Sequence, residues 1–400
     1  MLDKIIKLLN WKKIPDEAKP LIYSSILMSF SMGYMFVDFP IYLSEVGYSS
    51  YIIGILLSVP TLVGALLMIP LGSLSDRYGR KKFILLARSF SIFSVLIFIM
   101  TYSFLYILLA SIMQGLAFAN ASSSYQALMA EKTDKNNRNF VFSFNSFSSG
   151  LSQAGGMLFG SVPYYFTEYF GLSVFNSYRI LFFTSFILYL VSTLMIIKIK
   201  ENYVFNKDIE KIDKREFSVV WKFSILGLIG LGAGVIIRLF PYWFYVKYGV
   251  NVNVLGPIYA ISQIVTSIAS LYSANIASMI GEVKTIFLTQ ITSILILVLI
   301  PSMPIYSLAA ILFIMRNALM NMGGPIQTSM IMSLIPEKNR ALGSAIIQFF
   351  DAIPRSIGPA LGGYLMEMKM IDMPFYITAS LYTASTIGFY LIFRNVKIVK

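Results

Sequence analysis

The chain has 400 residues, 57% of them hydrophobic and 13% charged, about half the charged share of a soluble domain. It contains neither cysteine nor histidine, which excludes disulfides, thiolate or imidazole metal sites, thiol nucleophiles and histidine general bases. The formal charge of +13 sits in short segments between apolar runs, as membrane topology requires, so it does not point to nucleic acid.

Residues 1–20 form a lysine-bearing amphipathic stretch without the small-residue cleavage site of a secretory leader, and are expected to be a retained cytoplasmic segment. A bilayer core needs about 20 apolar residues of helix. Such runs cover 21–43, 51–72, 83–101, 104–128, 140–163 and 178–197, then 218–247, 253–276, 285–301, 304–334, 341–365 and 374–393. The expected class is therefore an all-α polytopic membrane protein of about twelve transmembrane helices. The polar segment 198–217 reads as a cytoplasmic linker between an N-terminal half, 21–197, and a C-terminal half, 218–393, with 394–400 as a cytoplasmic tail. Of the 32 basic residues, 24 fall in segments on the side of the chain ends, while the opposite loops hold Lys247, Lys369 and the edge residue Arg179. That bias predicts both termini in the cytoplasm of a multi-pass protein of the plasma or inner membrane.

The halves repeat. Gly33, Phe39 and Pro40 match Gly234, Phe240 and Pro241 at an offset of 201. After one inserted residue the offset is 202, pairing Gly47 with Gly249, Gly79 with Gly281, Arg138 with Arg340, and Gly156 and Gly160 with Gly358 and Gly362. Repeated halves are a common plan of secondary transporters, with the substrate site between them.

The loop after the second span reads Gly72-Ser-Leu-Ser-Asp76-Arg77-Tyr-Gly79-Arg80-Lys81-Lys82. Gly72 lets a neighbouring helix approach, Gly79 permits a tight reversal, Asp76 can pair with an arginine, and the basic run suits an anionic leaflet. With the twelve spans, this loop resembles the major facilitator superfamily, as does Pro40-Ile-Tyr42-Leu43 before Gly47. The resemblance implies a fold of two pseudo-symmetric six-helix bundles working as a monomer. It also implies that Asp76, Arg77 and Arg80 latch the halves on the cytoplasmic side, favouring the state open to the outside. Two motifs of the family's drug exporters are incomplete: Ser111 stands where they carry an arginine before Gln114-Gly115, and the fifth span lacks their proline.

Charges inside spans are costly and mark function. Asp38, Arg238, Arg316, Asp351 and Arg355 fall on spans that line the central cavity in this family. Asp38 and Arg238, at similar depth in the first and seventh spans, suggest an outer gate made by an ion pair, or a proton-coupling site. Arg316 lies roughly 18 Å from its span's outer end, near the midplane. Asp351 and Arg355, at i and i+4, share a helix face and can pair; Asp351 against Arg316 is the alternative. Gln114, Gln263, Asn317 and Asn321 complete the candidate cavity. Arg88 and Lys222, near span ends, are expected to snorkel. The net cavity charge of +1 favours a small organic anion. With no histidine, a proton would ride on Asp38 or Asp351. No catalytic triad, metal cluster or phosphate loop is present, so the chain reads as a carrier, not an enzyme, needing a small-molecule substrate, a bilayer, possible protons and no cofactor. A proton-coupled exporter of hydrophobic compounds and a transporter-like membrane sensor are the alternatives.

Overall fold

A computed structural model describes residues 14–134, 137–201, 221–334 and 340–394. Among these, fifteen α-helices follow one another without a strand. In chain order they are α1 (Lys19–Glu45), α2 (Ser50–Tyr78), α3 (Arg80–Met100), α4 (Phe104–Glu131), α5 (Arg138–Phe159), α6 (Val162–Phe170), α7 (Val174–Ile197), α8 (Leu226–Ile236), α9 (Phe240–Tyr248), α10 (Val252–Ile280), α11 (Glu282–Leu299), α12 (Tyr306–Met322), α13 (Gly324–Leu334), α14 (Arg340–Glu367) and α15 (Met373–Phe393). Nine segments of the described residues are long and apolar enough to cross a membrane. The expected fifth, tenth and eleventh spans are helical as well. They carry the polar residues of the interior, Asn145 and Gln153 on α5 and Asp351 and Arg355 on α14, and the tenth is broken at Gly323 into α12 and α13. The seventh is broken at 237–239, between α8 and α9. Most of the expected linker, and residues 1–13 and 395–400, lie outside the described residues.

The repeat is present in the backbone. Gly79 ends α2 at φ 103° and its mate Gly281 ends α10 at φ 93°, each a left-handed turn from which the next helix starts at once. Within the N-terminal half, a Cβ at Gly33 of α1 would overlap the Gln153 carbonyl of α5. Within the other half, a Cβ at Gly234 of α8 would overlap the Arg355 carbonyl of α14, at the corresponding positions. Pro359 has no N–H to offer that carbonyl, so it is free to meet the glycine.

The face where α1 begins and α15 ends is the terminal face; the opposite one, with Gly47 and Gly249, is the far face. Packing differs sharply between them. On the far-face side a single core draws on both halves, joining Tyr34, Ile53, Phe98 and Phe182 to Phe240, Trp243, Phe313 and Phe375. On the terminal side there are two separate cores. One joins Ile22, Ile84, Leu128 and Ile196, and the other joins Phe223, Ile286, Met330 and Phe393. Among the described residues the halves share a core on the far-face side and keep separate cores on the terminal side.

The far-face seam is made twice by symmetry. A Cβ at Gly54 of α2 would overlap the Pro359 carbonyl of α14; a Cβ at Gly256 of α10 would overlap the Met157 carbonyl of α5. Gly54 and Gly256, and Met157 and Pro359, are mates at the same 202-residue offset. Around the seam Ser50 and Tyr242 share a hydrogen bond of 2.7 Å, and the Tyr51 amide donates to Glu367 at 2.8 Å.

Candidate functional site

The intramembrane charges do not pair as the depth of Asp38 and Arg238 suggested. Asp38 is fully buried, and neither carboxylate oxygen has a hydrogen-bond partner. It points across the N-terminal half at Gly160 of α5, where a Cβ would strike its Oδ2. Arg238 sits in the break between α8 and α9, exposed, with its guanidinium 5.8 Å from the centre of the Phe36 ring. The gate ion pair is thus not made here. The reason lies in the register: the repeat sets Asp38 against Leu239, not Arg238, and one residue along a helix turns a side chain by about 100°.

Asp351 and Arg355 do pair, and the bond is bidentate: Nε donates to Oδ2 at 2.9 Å and Nη2 to Oδ1 at 2.8 Å. One helical turn brings the planar fork onto the carboxylate. Arg316 is therefore left without Asp351. It is 2% exposed, its Nε and Nη2 have no acceptor, and its guanidinium lies 5.5 Å from the centre of the Tyr382 ring. The buried Tyr259 hydroxyl, within electrostatic reach of Arg316, is also unpartnered.

These groups form a circuit. Arg238 lies over Phe36, the Phe36 and Tyr259 rings are 6.0 Å apart, and Tyr259 faces Arg316. Arg316 lies over Tyr382, which senses Arg355, and Arg355 acts in turn on Arg238. Three guanidinium groups, three aromatic rings and one carboxylate thus converge from both halves. Chemically this is a site for a negative charge attached to a flat or apolar body.

The expected amides divide. Asn317 donates to Ser262 at 2.9 Å and ties α12 to α10, while Asn321 donates to the Asn317 carbonyl and side-chain oxygens one turn back on α12 itself. Gln263 comes near Gly150 of α5, across the seam between halves. Gln114 is half-buried on α4. Arg88 does not snorkel: it is 5% exposed and donates to Ser24 at 3.2 Å, because α1 supplies a hydroxyl at its depth. Lys222 is exposed.

The loop motif's contacts among the described residues stay within the first half. Arg80 binds Asp76 at 3.1 Å and approaches Glu131 at 3.7 Å, while its backbone amide and that of Lys81 donate to Glu201. Among the described residues every partner of the motif lies in 76–201; Arg77 is exposed and Gly72 half-buried on α2.

Sequence reasoning missed Tyr259 and Tyr382, which look like ordinary aromatic core, and the Gly54–Gly256 pair. The pair's signal was the 202-residue offset itself.

The sequence profile described as Major Facilitator Superfamily matches residues 21–223 and again 222–398. An MFS-type transporter of Methanocaldococcus jannaschii, MJ1560, is 25% identical over 275 residues, 64% of this chain and 67% of that protein. Among solved structures, a bacterial homologue of the human lysosomal transporter Spinster, inward-facing and unoccupied, aligns with a TM-score of 0.72 at 15% identity, over 94% of this chain and 96% of that one. The nucleoside transporter NupG aligns at 0.76 and 12%, over 94% and 100%. A D-xylose–proton symporter aligns at 0.72 and 12%, over 96% and 98%. A doubled family match and a twofold-repeated helical bundle lead to one conclusion: the chain belongs to the Major Facilitator Superfamily and is a membrane transporter of that type.

Proposed function

We propose that this transporter is a secondary carrier that moves a small organic anion by alternating access, with Arg316 as the anion clamp and Asp38 as the site of the coupling proton. The observation that carries the anion is the buried, unmatched guanidinium of Arg316. A charge so placed is costly unless something pairs with it. Among the described residues no carboxylate does, so a ligand anion is the missing partner. Arg238 and Arg355, more exposed, receive the anion first from the terminal face; Phe36, Tyr259 and Tyr382 flank its body.

Asp38 supports the proton in the same way, as a fully buried carboxyl with no cation against it. The fold is shared with a carrier described as a proton symporter. The terminal face is cytoplasmic in this reading, with 1–20, the 198–217 linker and 394–400 on that side, halves at 21–197 and 218–393, and the monomer as the working unit in the plasma or inner membrane.

The test is a thermal-stabilisation screen of purified wild type and Arg316→Ala against organic anions, sugars and apolar cations. Ligand bound to the folded state raises its melting temperature by mass action, about 2.7 kcal/mol at a hundred times Kd. Anions should stabilise wild type and leave Arg316→Ala unmoved, and flux of the stabilising anion should then follow. Stabilisation by apolar cations alone, equal in both proteins, would overturn the anion and bring forward an exporter of hydrophobic compounds.

A further inference from the structure

We infer that Glu45 and Tyr178 form the far-face entrance of a proton route that ends at Asp38. This rests on Asp38 being the proton site proposed above.

A cavity of about 100 Å³ lies at the far face between the ends of α1, α6, α7 and α10. Its wall includes Glu45, Glu168, Thr167, Tyr164 and Tyr178, with Asn251 from the other half. Glu45 stands seven residues after Asp38 on α1, about two turns or 10.5 Å along the axis, and on the same side of the helix. Tyr178 of α7 fills the interval. It is 2% exposed, lines the cavity beside Glu45, and lies within electrostatic reach of both carboxyls.

Other groups face the route. Tyr34 senses Asp38 from α1, Tyr245 senses Glu45 from α9, and the Tyr42 ring lies 5.0 Å from that of Tyr178, its own hydroxyl buried and unpartnered. Among the described residues no cation pairs with Asp38 or Glu45. The series therefore runs from a wet carboxyl, through a buried phenol, to a buried carboxyl that nothing else satisfies.

The transfer balances without another reagent. Protonated Glu45 gives its proton to the Tyr178 oxygen as Tyr178 releases its own toward Asp38, directly or through one water. Asp38 becomes the neutral acid, Glu45 the carboxylate, and water in the cavity reprotonates Glu45. In this state both Asp38 oxygens are unpartnered, so the last link is open.

The route is tested without knowing the substrate, using deuterium as the probe. Protein is reconstituted in one orientation and the infrared band of the protonated carboxyl is followed after a switch to D2O on the far face. The Asp38 band is assigned by its loss in Asp38→Asn. Its isotope shift should slow by at least about tenfold in Glu45→Gln and in the near-isosteric Tyr178→Phe, and stay at the wild-type rate in Glu168→Gln. Wild-type exchange in both Glu45→Gln and Tyr178→Phe overturns the route. If Asp38→Asn removes no band at any pH, Asp38 holds no proton and the parent proposal fails instead.

Discussion

The two halves have one backbone plan and opposite chemistry. At the register where α1 crosses α5, the N-terminal half places the Asp38 carboxyl against Gly160. At the repeat-related place, the C-terminal half sets Leu239 against Gly362 and turns Arg238 toward the cavity. The first half buries Asp38 away from cations, while the second carries Arg238, Arg316 and Arg355, of which Arg355 alone pairs with a carboxylate, Asp351. Duplication supplies a frame in which contacts must match. Side chains that do not hold the frame are free to diverge, and in the proposed function the proton site and the anion clamp fall on different halves.

The largest effect should come from the contacts the halves share. Gly54→Ala and Gly256→Ala each force a Cβ into a carbonyl and should each destabilise far-face closure by about 1–3 kcal/mol. Every 1.4 kcal/mol shifts the conformational balance about tenfold. Because the chain has no native cysteine, a single Ser161→Cys, buried beside Gly256, reports the opening by its thiol labelling. Labelling should rise to a similar degree in either glycine variant. A response to one and not the other would break the symmetry of the seam.

An effect of similar size but opposite sign is expected when the halves are made alike. Asp38→Leu copies Leu239 into the first half. Removing an unsatisfied buried carboxyl should stabilise the ligand-free protein by about 1–3 kcal/mol, read as a higher melting temperature, and should abolish the pH dependence of transport. A melting temperature that falls would mean Asp38 has a partner in the dominant solution state. The smallest effect belongs to Asp76→Asn. Its partner Arg80 is a solvent-screened neighbour in this state, so stability should change by no more than about 1 kcal/mol. A larger loss would show the loop gripping the other half in the resting protein.

The parts legible in the sequence were those set by local spacing. Each span is a run of about 20 apolar residues, and Asp351 with Arg355 is one helical turn, so both were accessible from the chain alone. The Asp38–Arg238 gate was not, because the 201-residue offset sets Asp38 against Leu239, and one residue along the chain turns a side chain to another face. Arg88 was misjudged because the hydroxyl that holds it, on Ser24, is 64 residues away. The latch expected of Asp76 was beyond reach for a different cause. A loop can state which partners suit it but not which of two conformers is occupied.

One property of the far-face seam bears on energy conservation. At Gly54 and Gly256 a carbonyl oxygen of the facing helix stands where a side chain would otherwise be, and the Ala360 amide of α14 donates to the Ser58 hydroxyl of α2. A file of water that could leak ions across a closed barrier needs free donors and acceptors along its length, and the groups at this junction are engaged with one another. While the cavity faces the other way, the closed end therefore acts as an insulator, and the membrane voltage is not discharged through an idle carrier.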